Sequence, residues 1–327
     1  MFQIFVGARY KFMARRKIAY VISSVLMLAS IGFLVAQGGP KESIDFTGGS
    51  LLYVGFNQAV PVEQVRSAAA AAGMDGAEVQ MAEQGTQAII HFRNEEAGEA
   101  AGSAAQGAQS PFDRFQAQLG GVESTLLSQE TVGAKVGEEL EQKAAMAILW
   151  SLALILIYIA WRFTRVSFGL GAVMALFHDI VITLGIMSFM GVEISLTVVA
   201  AFLTIGGYSI NDTIIVFDRI RENFGLAKRM PFDEVIDRSG NQTLSRTIIT
   251  GMTTLLAVLA LYILGGVVIH DFALAMLLGI IIGTYSSIFV ASALALDISN
   301  WWTRRKVARQ TAAAAKAKSK KSKAVTA

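Results

Sequence analysis

Six stretches of this chain are too long and too apolar for water to be their solvent. They cover residues 18–36, 144–160, 166–190, 194–217, 247–264 and 272–296. A helix needs roughly 20 apolar residues to cross the hydrocarbon of a bilayer, so each stretch reads as a transmembrane span. The composition, 54% hydrophobic and 16% charged, lies outside the range of soluble globular proteins. The first stretch is too apolar over too great a length for a cleaved signal, and no small-residue cleavage site follows it, so it reads as a retained helix. Cysteine is absent, which excludes disulfides and thiolate metal sites.

The charges are segregated. Residues 1–17 carry Arg9, Lys11, Arg15, Arg16 and Lys17 and no acid. Residues 37–143 carry 6 basic and 15 acidic side chains, a net of −9. The connection 162–165 is basic and 191–193 is acidic. The connection 218–246 has six basic residues, 265–271 has none, and the tail beyond Trp302 has nine with no acid. Positive charge stays on the cytoplasmic side. Both termini and the basic connections are therefore expected inside, and the acidic segment outside. Trp150, Trp161, Trp301 and Trp302 sit near span ends, where interfacial aromatics belong. The basic tail of such a protein points to anionic membrane lipid as its partner rather than nucleic acid.

Within 37–143, residues 49–56 have strand character, Pro61 opens a helix, and 77–81 and 87–92 alternate around a Gln84-Gly85 turn. Pro111 opens a second helix, and 121–128 reads as a fourth strand. The order β-α-β-β-α-β is that of a ferredoxin-like α+β domain. Residues 94–110, rich in Ala, Gly, Gln, Ser and Glu, read as a flexible loop. The expected organisation is a basic N-terminus (1–17), a first helix (18–36), the α+β domain (37–143), five more helices with a cytoplasmic loop at 218–246 (144–302), and a disordered basic tail (303–327). Within that loop, 231–240 reads as a short amphipathic helix, started by Pro231 and ended by Gly240, with Phe232, Val235 and Ile236 turned toward the bundle or membrane.

Asp212 lies inside the fourth apolar run, and Arg246 opens the fifth. A carboxylate in hydrocarbon costs roughly 2.5–3.5 kcal/mol on insertion scales, so its presence calls for a role. The two runs are antiparallel neighbours, which places the two charges at similar depth and makes an ion pair the expected arrangement. A carboxylate balanced between desolvation and a nearby cation can serve as a proton relay. The alternative is a static pair that glues two helices. Ser209 and Thr250, each one turn away, would line the same faces. His178 and Asp179 sit near the middle of the third run. Gly171, Ala175, Asp179 and Thr183 share a face, which favours interhelical hydrogen bonding over a second proton station. His178 lies about 100° around the helix from Asp179, so the two need not form a dyad. Gly279 and Gly283 form a GxxxG packing face within the chain or toward a partner.

No P-loop, zinc-protease or nucleophile-elbow motif occurs, so no enzymatic role and no bound cofactor are expected. Energy would come from an ion gradient, with protons as the coupling ion; one charge moved through 100 mV is worth about 2.3 kcal/mol.

Residues 43–49 (SIDFTGG), 132–140 (VGAKVGEEL), 177–179 (FHD), 207–213 (GYSINDT) and 283–289 (GTYSSIF) resemble, in order, the signature segments of the SecF family of bacterial protein-export membrane subunits. The resemblance runs from the first span to the end of the sixth; residues 94–110 match no motif of the family. It implies half of an RND-superfamily unit, completed by a SecD partner, that assists the SecYEG channel and SecA in the inner membrane. It further implies that the proton motive force completes translocation of the polypeptide on the periplasmic face, with Asp212 and Arg246 at the family's functional Asp and Arg. The rivals are a proton-driven RND exporter of lipids or small molecules, and a scaffold of the channel without ion coupling. The short third-to-fourth connection counts against the exporter.

Overall fold

Helix α1 (Arg16–Gln37) follows a short 3-10 turn at Met13–Arg15 and ends at Gly38, whose left-handed φ of 81° lets its N–H close on Leu34 and Val35. The computed structural model describes residues 7–74, 76–92, 110–163, 166–226 and 230–325. All of the loop expected at 94–110 but Ser110, and half of the basic connection at 162–165, lie outside them.

Beyond α1 the chain makes one helical turn, α2 (Ile44–Thr47), capped by Ser43 Oγ accepting from the Asp45 N–H at 3.2 Å. The α+β domain follows: β1 (Gly49–Phe56), α3 (Val62–Ala71), β2 (Glu78–Ala82), β3 (Gln87–Phe92), α4 (Pro111–Gln118) and β4 (Ser124–Val132). The sheet order is β2-β3-β1-β4, antiparallel at every pair, as a ferredoxin-like fold requires. Alternation decides the buried face. Leu52, Val54 and Phe56 on β1 join Ala88, Ile90 and Phe92 on β3 beneath Val65, Ala68 and Ala69 of α3 and Phe115 of α4. Ser110 and Asp113 form a capping box at the start of α4. The turn between β2 and β3 takes Gln84 left-handed, at φ 57°.

Strand β4 leads through Gly133 directly into α5 (Ala134–Arg162). Then come α6 (Val166–Phe189), α7 (Leu196–Leu226), α8 (Phe232–Leu264) and α9 (Val267–Ser286). A π-helical turn at Ser287–Ala291 joins α9 to α10 (Ser292–Val325). Among the described residues six helices are long and apolar enough to cross a membrane, α9 and α10 counting as one through the π turn. Among them α6, α7 and the α9–α10 rod are the most buried, whereas α1, α5 and α8 keep broad apolar faces outward. Small residues permit the close approach. A Cβ on Gly171 of α6 would meet the Ala291 carbonyl of the π turn at 2.7 Å, and one on Gly279 of α9 would meet Ile205 of α7. The GxxxG face is thus used inside the chain.

Two expectations change. The segment 231–240 is not a separate helix, because Gly240 lies inside the continuous α8, where the ring of Phe12 packs on its bare Cα. Tertiary packing overrides the stop signal there. Val235 and Ile236 are buried and Phe232 packs beside them, on the face expected for them. The tail expected to be disordered from 303 is helical through Val325. Its alanines and lysines are strong helix formers.

The opposite ends of the bundle are each tied together. At one end Asp237 Oδ1 of α8 accepts from the Met13 N–H at 2.8 Å, and Asn241 exchanges two hydrogen bonds with the backbone of Tyr10. At the other, the α6–α7 connection meets the linker into the α+β domain: Ile194 and residues 41–43 form a short parallel ladder.

Candidate functional site

Helix α7 carries two polar positions one turn apart, and they face different neighbours. Ser209 faces α6, where its hydroxyl donates to Asp179 Oδ2 at 2.5 Å. Ser286, at the end of α9, donates to the same oxygen at 2.7 Å, and His178 Nδ1 lies 2.9 Å from Asp179 Oδ1. Asp179 is 0% exposed and His178 2%. The absence of a side chain at Gly283 lets this happen, since a Cβ there would sit 3.2 Å from that of Ser209 and 3.6 Å from Asp179 Oδ2. Asp179 is therefore a hub that joins α6, α7 and α9 by hydrogen bonds. The contact between neighbours His178 and Asp179 was not expected from their angular separation; the side chains bend toward each other where the backbone directions diverge.

Asp212 is 2% exposed, yet its Oδ2 has no hydrogen-bond partner among the described residues. The expected pair with Arg246 is not made. Arg246 is exposed and forms no ion pair within 4 Å among the described residues, although it is near enough for its charge to act on the carboxylate. Adjacent antiparallel helices fix depth but not azimuth, and here Asp212 is buried inside the bundle while Arg246 is exposed. Three more buried hydroxyls line α7, α8 and the neighbouring α9: those of Thr247 of α8 and Thr284 of α9, without hydrogen-bond partners among the described residues, and that of Tyr208 of α7, which has only the threonine hydroxyls of α8 near it. Gly251 of α8 brings two of them together, for a Cβ there would lie 3.2 Å from Thr284 Oγ1 and 3.7 Å from the Tyr208 hydroxyl. Thr250 lies at the rim of this seam: it is exposed and bonds back to the Arg246 carbonyl at 2.9 Å, and its hydroxyl is also close to that of Tyr208.

The two acids thus contrast. An unsatisfied buried acceptor costs about 1–3 kcal/mol, more when charged, and native proteins keep few of them. Asp179 has its partners; Asp212 does not. A group that must bind and release a proton cannot also be held permanently by strong donors. Sequence reading placed Ser209 beside Asp212 and missed Ser286 as a site residue. The available signal was the small-residue stripe Gly279, Gly283 and Ser286, which continues the packing face one turn further.

One cluster has the donor set for a metal. Ligand atoms of Glu78, His91 and Glu193 lie within 4.8 Å of one another. The Lys41 ammonium already bridges the two carboxylates, at 2.5 Å from Glu78 and 2.9 Å from Glu193, so the cluster reads as a salt-bridge network.

Residues 114–301 match the family model described as protein export membrane protein SecD/SecF, C-terminal. The protein translocase subunit SecF of Vibrio alginolyticus is 45% identical over 91% of this chain and 93% of its own length. That of Haemophilus influenzae is 42% identical over 88% and 86%. Protein translocase subunit SecDF of Thermus thermophilus is 42% identical over 92% of this chain, which spans 40% of that longer protein. A crystal structure of SecDF from the same organism, titled a translocon-associated membrane protein, superimposes with a TM-score of 0.79 at 39% identity, over 91% of this chain and 40% of the other.

Proposed function

The chain belongs to the SecD/SecF family of protein-export membrane proteins, and from that premise we propose that it is a proton-coupled subunit of the protein translocase. The observation that carries the coupling is Asp212, a buried carboxylate with an unpartnered oxygen beside a cation that does not neutralise it by contact. Protonation removes the cost of that buried charge, and deprotonation favours movement of Arg246 toward it. Two arrangements of α7 against α8 would alternate as protons pass inward down their gradient. Their work would be spent on the α+β domain at the periplasmic face, late in translocation of the polypeptide. Both termini lie in the cytoplasm of this scheme, and the membrane is the bacterial inner one.

A SecD chain completes the unit. The relative in which SecD and SecF are one polypeptide supports this. So does α8, whose outward face carries Arg246, Thr250 and Thr253. A guanidinium and a threonine stripe on a membrane-crossing helix call for a protein neighbour rather than lipid tails. SecYEG and SecA follow as the machinery that such a unit would serve.

The test is Asp212→Asn, which keeps size and fixes the group neutral. In membrane vesicles the variant should insert, associate with its partner and lose the gradient-dependent part of secretion. Full gradient-dependent secretion would refute the relay. In that case the scaffold without ion coupling stands.

A further inference from the structure

Helix α7 begins at Leu196 with exposed N–H groups that need acceptors. Ser195 Oγ takes the Val198 N–H at 3.2 Å. The Leu196 N–H goes instead to a residue far away in sequence: Asp45 Oδ2, at 2.8 Å, from the one-turn helix at the root of the α+β domain. A carboxylate at a helix N-terminus is favoured by the helix dipole as well as by the hydrogen bond. Around it the two segments are laced together. Ile194 N–H donates to the Lys41 carbonyl at 2.7 Å, Ser43 N–H donates to the Ile194 carbonyl at 3.1 Å, and Lys41 pairs with Glu193. Phe46, next to Asp45, packs into the apolar cluster of Ala144, Met187, Ile194 and Val198 at the outer end of α5, α6 and α7. The exit from the domain is gathered at the same place. Gly137 of α5 approaches the linker so closely that a Cβ would lie 2.7 Å from the Phe46 carbonyl.

From Leu196 to Asp212 helix α7 is unbroken. At 1.5 Å per residue the distance is about 24 Å. A continuous helix passes a shift or tilt at one end to the other, and the far end here is held by the root of the domain.

We propose that residues 41–46 are the joint through which α7 moves the α+β domain, with Asp45 as the positioning residue that keeps the two engaged. The role in secretion rests on the reading of Asp212 as proton carrier. Asp45 does not touch the proton path. It keeps the domain on the outer end of the helix that does.

The joint is tested in the full complex with its SecD partner by separating proton flux from secretion. Asp45→Ala should lower gradient-dependent secretion about five- to ten-fold, the scale on which losing a helix cap shifts an equilibrium, and leave proton flux unchanged. Asp45→Asn retains a carbonyl acceptor and should fall between Asp45→Ala and wild type. Gly137→Ala, which pushes the linker from α5 without touching the cap, should give the same split. It serves as the test if Asp45→Ala does not accumulate. Wild-type secretion in Asp45→Ala and Gly137→Ala would overturn the joint, as would parallel loss of flux and secretion. A second readout needs no proton step. The natural absence of cysteine allows spin labels at Ala70→Cys on α3 and Leu264→Cys at the end of α8, both exposed. Their distance distribution should broaden in Asp45→Ala and stay narrow in Asp212→Asn. An unchanged distribution in Asp45→Ala overturns the joint even if the relay fails independently.

Discussion

Ser209 donates to Asp179 across the α6–α7 interface at 2.5 Å, and Ser286 reaches the same oxygen from α9. Three helices thus share one acceptor that is 0% exposed. Hydrogen bonds to charged groups are worth about 1.5–3 kcal/mol each. Ser209→Ala should therefore destabilise the detergent-solubilised protein on that scale. Asp179→Ala should cost more, on the order of 3–5 kcal/mol, because it strands the Ser209 hydroxyl and the His178 imidazole at once and leaves Ser286 only the Gly283 carbonyl. Gly283→Ala should act in the same direction by forcing Ser209 away. Thermal unfolding reads all three. A wild-type midpoint for Asp179→Ala would show that the hub does not hold the bundle.

Asp212 gives the opposite expectation. It has an unpartnered oxygen and makes no contact pair with Arg246, so neutralising it removes a burden rather than a bond. Asp212→Asn should unfold no earlier than wild type and lose gradient-dependent secretion. Asp212→Glu still titrates and should keep part of that secretion. Arg246→Lys retains charge without the planar fork and should be partly impaired, and Arg246→Met more so. In Asp212→Asn/Arg246→Met, a static-glue role predicts restored secretion, whereas the relay predicts none. Vesicle assays at matched protein levels distinguish the two.

What was legible in the sequence follows the range of the physical signal. Hydropathy is local, so six spans could be read directly. Alternation is local too: β3 falls on the alternating residues 87–92, and β2 lies one residue along from the alternating 77–81. Asp212 was legible because an acid in an apolar run needs no neighbour to look anomalous. Its relation to Arg246 was not, because azimuth is set by how α7 and α8 rotate against α9. Gly240 looked like a stop until Phe12, more than 220 residues away, packed on it. The same limit hid Asp45. In the sequence it lies between the glycine pairs 38–39 and 48–49 with nothing to mark a partner, and only the fold shows that it caps α7.

The polar stripe on α8 predicts where the partner sits. Thr250 and Thr253 are exposed, and their hydroxyls are satisfied by their own helix, at 2.9 Å from the Arg246 and Ile249 carbonyls. Facing lipid, leucine at both positions would be neutral or favourable. Facing protein, it would spoil close packing. The double variant Thr250→Leu/Thr253→Leu should reach the wild-type level in the membrane but recover less SecD partner on co-purification from mild detergent. Undiminished recovery would place the partner on another face.

The bridge at the joint makes a prediction about pH. The hydrogen bond and charge of Lys41 hold Glu78 below its ordinary carboxylate value. Burial pulls the proton affinity of Lys41 down, but its bonds to Glu78 and Glu193, with their charges, outweigh this and leave it above the ordinary lysine value. A lowered carboxylate contributes stability above its unfolded pKa and loses it as pH falls through the folded one. A raised lysine contributes below its unfolded pKa and loses it as pH rises through the folded one. Between those limits both contributions are fully present, so neither Lys41 nor Glu78 changes charge near neutrality. A joint that stays closed while protons pass elsewhere needs this property. Protection of the Ser43 and Ile194 amides, which bond across the joint, should be the same at about pH 6 and about pH 8 once intrinsic exchange is corrected. Loss of protection on acidification within that window would mean that the joint itself opens with protons, and movement would then start there instead of at Asp212.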